Sequence, residues 1–218
     1  MTWDEITPLL RDATLETLQM TWWSSLFTAL GGLLLGVLLV LTDRTGLLPV
    51  PPLHQVLGAI VNVGRSLPFI ILMVAILPFT RAVTGTTIGT TAAIVPLAVA
   101  AIPFYARLVE TALREVDPAV IAAARAMGAS RRQIVGKVLL REARPGLVAG
   151  LTVTVIALIG YSAMAGAIGG GGLGDLAVRY GYQRFETGVM VATVVVLIVL
   201  VQLIQMLGDL LARRLTHR

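Results

Sequence analysis

Residues 121–140 read IAAARAMGASRRQIVGKVLL, the centre of a polar island from Arg107 to Pro145 that carries eight Lys/Arg. Around that island the chain is apolar. Its 218 residues are 56% hydrophobic with a mean hydropathy of +0.87. Only 13% are charged, against about 25% in soluble chains. A bilayer is the solvent for most of this sequence, and the island reads as a basic docking surface on the side where basic loops are retained.

Crossing a hydrocarbon core of roughly 30 Å takes about 20 apolar residues as helix, because backbone polar groups unpaired in lipid are costly. Five segments qualify, 18–41, 56–79, 88–108, 147–168 and 188–211, predicting an all-α integral membrane protein. The second holds Arg65 and Pro68 and the third Pro96 and Pro103, so both are expected to be kinked helices. Residues 1–17 read as an amphipathic extracytoplasmic segment, 18–211 as one membrane domain with a loop over 107–146, and 212–218 as a tail.

Short loops rich in Lys/Arg stay in the cytoplasm. With the N-terminus outside, the inner segments 42–55, 107–146 and 212–218 hold twelve Lys/Arg, while the outer ones hold four: Arg11, Arg81, Arg179 and Arg184. The orientation is N-out, C-in. Asp4, Glu5, Asp12 and Glu16 near the start are unlike the basic opening of a cleaved signal peptide, so the first span reads as an anchor.

That topology explains the net charge of +5 and pI near 10.4, and nothing interleaves aromatic and basic residues as nucleic-acid binding would require. Zero cysteines remove disulfides and thiolate metal sites, and His54 and His217 are too scattered for a metal centre. Five helices make a thin conduit alone, so the pathway is expected at a two-fold interface with a second copy, embedded in lipid.

Within the island, Asp117 and Pro118 form an N-cap and first helical position, and Ala119 to Met127 a short helix of strong formers. Gly128 stops it. Ser130 caps a second helix beginning at Arg131 and running through Gln133, Ile134, Val138 and Leu139. Such a pair fits a partner's groove, with Ala122, Ala123, Ala124 and Ala129 allowing close approach and Met127 and Ile134 gripping it. An ordinary basic interfacial loop has the same composition.

The spacing resembles the coupling loop of binding-protein-dependent ABC importer permeases: Glu-Ala-Ala, three residues, Gly, nine residues, Ile-x-Leu-Pro. Ala123, Ala124, Gly128 and Leu140 match it, Val138 stands for Ile, and Ala122 and Arg141 replace the Glu and the Pro. GRSLPFIILMVAILPFTR (64–81), AAIVPLAVAAIPFYARLVE (92–110) and GYSAMAGAIGGGGLGDLAVRYGY (160–182) resemble the methionine group of those permeases. The resemblance implies a type I importer permease fold and a homodimer that moves L- or D-methionine inward. It implies two ATPase subunits carrying ATP and magnesium, and a methionine-binding lipoprotein outside. Another amino acid or a small organic anion is the alternative substrate.

The chain itself offers no ATPase. Gly169 to Gly174 lacks the Gly-Lys-Ser/Thr ending of a phosphate loop, and the only lysine, Lys137, precedes Val138. No Asp, Glu or His lies mid-span for a proton relay, and a channel would need a carbonyl filter or a ring of acids. Arg65 either snorkels to the inner interface or touches an inner gate. In the fourth span, Tyr161, Ser162 and Met164 sit among small residues, where Met164 is either packing or a soft gate plug.

Overall fold

The computed structural model describes residues 2–216; His217 and Arg218 of the expected tail lie outside the described residues. Within them the regular elements are all helical: α1 Trp3–Thr42, α2 Pro51–Ser66, α3 Phe69–Ala75, α4 Leu77–Thr84, α5 Thr90–Arg114, α6 Pro118–Ala126, α7 Arg131–Gln133, α8 Leu140–Glu142, α9 Arg144–Ala165, α10 Gly172–Leu176 and α11 Thr187–Thr216. π-helical turns join α7 to α8 and α10 toward α11, while α9 leads toward α10 through a kink at Ile168 and Gly169, whose backbone is not helical. α1, α5, α9 extended to Gly170, and α11 are each long and apolar enough to span a membrane.

At 40 residues, α1 is about 60 Å long by its 1.5 Å rise, twice the hydrocarbon core. Residues 3–17 are therefore not a separate element; they continue the first span outward. The polarity change near residue 17 contains no helix breaker, and polarity alone does not end a helix. This outer half packs Ile6 and Ala13 on Leu173, Leu176 and Val189. Deeper in, Thr17, Thr21, Ser24, Thr28, Gly32 and Gly36 form the buried stripe. Small side chains let α1 lie along α5 where lipid gives no hydrophobic drive, while Leu18, Trp22, Leu26, Leu30 and Leu34 face outward.

The expected second span, 56–79, is not one kinked helix. α2 and α3 meet at 107°. Pro68 donates no N–H and drives the preceding residue out of the helical region, and Leu67 is extended at φ −83°, ψ 127°. α2 is thus a separate helix with only Val61 buried, and the apolar rise continues through α3 and α4. By contrast α5 runs unbroken through Pro96 and Pro103, both buried.

Contacts sort the chain into two ends. Asp43 meets Arg114, and the Tyr105 hydroxyl donates to the Leu147 carbonyl, at or toward one end. At the other, Gly172 N–H donates to Glu16 and Gly89 N–H to Gly169 O. The first is the end to which the positive charges assign the cytoplasm.

Candidate functional site

At the basic end, α6 is built from local signals. The Asp117 carboxylate accepts from Ala119 N–H at 2.8 Å, and Pro118 occupies the first turn where its missing N–H costs nothing. Met127 N–H closes onto Ala123 O, and Gly128 turns the chain at φ +78°, a conformation that side-chain-bearing residues resist. Ser130 then starts α7 with a capping box, its hydroxyl accepting from Gln133 N–H while Gln133 Oε1 accepts from Ser130 N–H.

The turn is anchored by a core of Tyr105, Val109, Leu113, Val116, Ala124, Ile134 and Leu139. Ile134 was expected to grip a partner; it is 2% exposed and instead fixes the turn to the body of the protein, as does Ala124 at 5%. The turn that Ser130 caps, closed by Ile134 N–H on Ser130 O at 2.9 Å, sets the Ile134 side chain into the cluster of Leu113, Val116 and Leu139, a tertiary seat that local spacing does not reveal. Ala122, Ala123, Gly128, Ser130 and Gln133 are exposed, Ala129 is half-buried, and Met127 projects at 81% exposure. Val120, 40% exposed on α6, joins this surface; its place in a run of alanines and valines gave no sign of that.

Beneath the turn lies an ion-pair network the sequence reading missed. Glu110, 4% exposed, accepts from Arg107 Nη1 at 2.6 Å with one oxygen and from Arg114 Nε and Nη2 at 3.1 and 3.0 Å with the other. Arg107 Nη2 also donates to Asn62 Oδ1 of α2 at 2.6 Å. Arg114 Nη1 reaches Asp43, just past α1, at 2.7 Å. The Arg114 hydrogen bond holds the Asp43 carboxyl below its ordinary 3.8. The i, i+3 and i, i+4 spacing around Glu110 is a readable signal; that its two arginines reach on to Asn62 of α2 and to Asp43 just past α1 is not.

Toward the outer end, Tyr161 stacks on Phe69 of α3, with centroids 4.9 Å apart and planes 8° from parallel. Ser162 is buried and donates to Ile159 O at 2.8 Å. Met164 is 50% exposed, in line with Val153 and Gly160 on a face of α9 that this chain leaves uncovered. The three residues therefore do not converge: Tyr161 and Ser162 pack inward and Met164 points away. Arg65 stands exposed in the last turn of α2, at the 107° corner, where a helix C-terminus favours a cation.

Comparison with known proteins gives a consistent picture. The family described as "Binding-protein-dependent transport system inner membrane component" matches residues 30–217. The chain is similar to the "Probable D-methionine transport system permease protein MetI" of Vibrio cholerae, 54% identical over 213 residues and covering 96% of this chain and 93% of that one. It is similar to the methionine import system permease protein MetP of Bacillus subtilis, 47% identical over 207 residues, 95% and 93% of the two chains. It superposes on a chain of the inward-facing MetNI methionine ABC transporter with TM-score 0.96, at 49% identity over 100% of both chains.

Proposed function

We propose, from the premise that this chain belongs to the family of binding-protein-dependent transport system inner membrane components, that it is the inner-membrane permease subunit of an ATP-driven methionine importer. One observation carries the reading: a doubly capped helical turn, held from beneath by Ile134 and Ala124, presents Ala122, Ala123 and Met127 at the basic end. A surface so rigidly supported, yet with so exposed a methionine, suits a partner that pushes on it. The choice of methionine rests on the likeness to methionine permeases along almost the whole chain.

In this reading two copies assemble with the uncovered face of α9 toward the shared axis, and Met164 narrows the path between them. Two ATPase subunits seat against the α6 turns and carry the ATP and magnesium; this chain binds no cofactor and performs no hydrolysis. A methionine-binding lipoprotein delivers substrate at the outer end. ATP drives the cycle only by binding one arrangement of the assembly better than the other, so the turn must move with the helices above it. Reconstituted with these partners in proteoliposomes, the chain should take up radiolabelled methionine only when ATP is supplied to the ATPase. Uptake of a different amino acid or organic anion in preference would overturn the substrate, and uptake without ATP would overturn the mechanism.

A further inference from the structure

Glu110 occupies the junction between the α6 turn and two other helices. It lies on the last turns of α5, four residues before Arg114 ends that helix, and residues 115–117 lead straight into Pro118. Leu113 and Val116 pack with Ala124 and Ile134 in one core, so a push on α6 is felt directly by the end of α5. From there two arginine forks reach out, Arg107 to Asn62 on α2 and Arg114 to Asp43 after α1. The Glu110 carboxylate holds both forks, one oxygen each.

The two arms differ in what else supports them. α1 lies along α5 through a long stripe of small residues and would follow it without any ion pair. α2 fully buries only Val61, against Leu39 and Ala106 with Leu57 beside them, and sets Gly64 close on Pro103 of α5; the Asn62–Arg107 bond is the polar tie that adds to this thin packing. α2 leads through the 107° corner to Phe69, which stacks on Tyr161, three residues before Met164.

We infer that Glu110 is a positioning residue that makes α2 move with the α6 turn, passing the displacement of that turn toward the face of α9 that carries Met164. This rests on the importer reading above. A buried ion pair is weak evidence for stability in itself, and a carboxylate that steadies two forks of its own helix, each reaching toward a different neighbour, is better explained by what it keeps in register.

The test is the ratio of substrate taken up to ATP hydrolysed, measured in proteoliposomes with the ATPase and binding protein present. Glu110→Gln keeps the shape but loses the charge that fixes both guanidinium groups, and should lower that ratio roughly tenfold while hydrolysis stays within about twofold. Asn62→Ala removes only the α2 end and leaves no buried charge, so it should lower the ratio similarly, and the double variant should be no worse than either single one. A purely structural role would reduce uptake and hydrolysis together, in proportion to assembled complex, and would overturn the inference. If Glu110→Gln does not assemble, a normal ratio in Asn62→Ala overturns it as well. A wild-type assembly with no ATP-linked uptake would instead be a failure of the importer reading.

Discussion

The inner turn around Gly128 and the outer segment around Gly174 are both short helices joined by glycine, yet they are held in opposite ways. The hydrogen bonds that cap the inner turn each join residues a few positions apart, Asp117 with Ala119 and Ser130 with Gln133, although the turn also rests on the core beneath it. The outer segment is held across the fold. Gly172 N–H donates to Glu16 at 2.6 Å, 156 positions away in sequence, and Leu173 N–H to Thr17 at 2.9 Å, so α1 supplies the N-terminal caps that α10 lacks in its own sequence. A locally specified element keeps its shape while exposed and pushed. An element capped by another helix keeps its shape only while that helix is in place.

The sharpest way to break this contrast is to put the same methyl group into both glycines. At Gly174 a Cβ would fall inside contact distance of the Ala163 backbone carbonyl, and the neighbouring Gly166 has Asp175 N only 2.5 Å from where its own Cβ would be. Backbone on both sides cannot swing away as a side chain can. Gly174→Ala should therefore cost roughly 3 kcal/mol, seen as a large fall in the thermal midpoint and yield of detergent-purified protein. An unchanged midpoint would mean that α9 and α10 are not in this close approach.

What was legible in advance follows the same division. The caps at Asp117 and Ser130 and the stop at Gly128 could be read because the residues that form them are neighbours in sequence. The apolar lengths of α1, α5, α9 and α11 could be read because a span needs only composition. The break at Pro68 was visible as a kink, but its 107° angle depends on what α2 and α3 each pack against. Ile134 faces the core and not a partner because Leu113, Val116 and Leu139 are brought over it by packing, which the spacing of the loop does not show. Glu16 looked like one of several outward acids, and its role as a cap for α10 required knowing that residue 172 comes beside it.

At Gly128 the methyl group meets nothing within 4 Å, so only the backbone conformation resists it. With φ at +78°, Gly128→Ala should cost about 1 to 2 kcal/mol, and the loss should fall on the turn rather than on the fold. The thermal midpoint would shift far less than for Gly174→Ala. Copurification of the ATPase subunit should weaken, because Met127 and Ala129 on either side of the turn would no longer be held in one geometry. A bulkier Gly128→Trp should abolish that copurification. If Gly128→Ala lowered the midpoint as much as Gly174→Ala, the distinction between local and long-range specification would fail.

The smallest effect belongs to Asp43. Its carboxylate is 20% exposed and the Arg114 side chain 43% exposed, and pairs of that kind contribute about 0.2 to 1 kcal/mol. Arg114 keeps Glu110 as a partner when Asp43 is lost, which limits the damage further. The bond to Arg114 depresses the Asp43 carboxyl below 3.8 in the folded protein. A depressed carboxylate stabilises the fold above its unfolded value and loses that contribution as pH falls through its folded value. The difference in stability between wild type and Asp43→Asn should thus be constant from neutral pH down to about the ordinary carboxylate value and shrink only below it. It should also decrease in high salt, which screens exposed charges. A difference that instead vanished while the carboxylate was still ionised would show that Asp43 acts through its backbone position after α1, where Arg44 N–H donates to its other oxygen, and not through its charge.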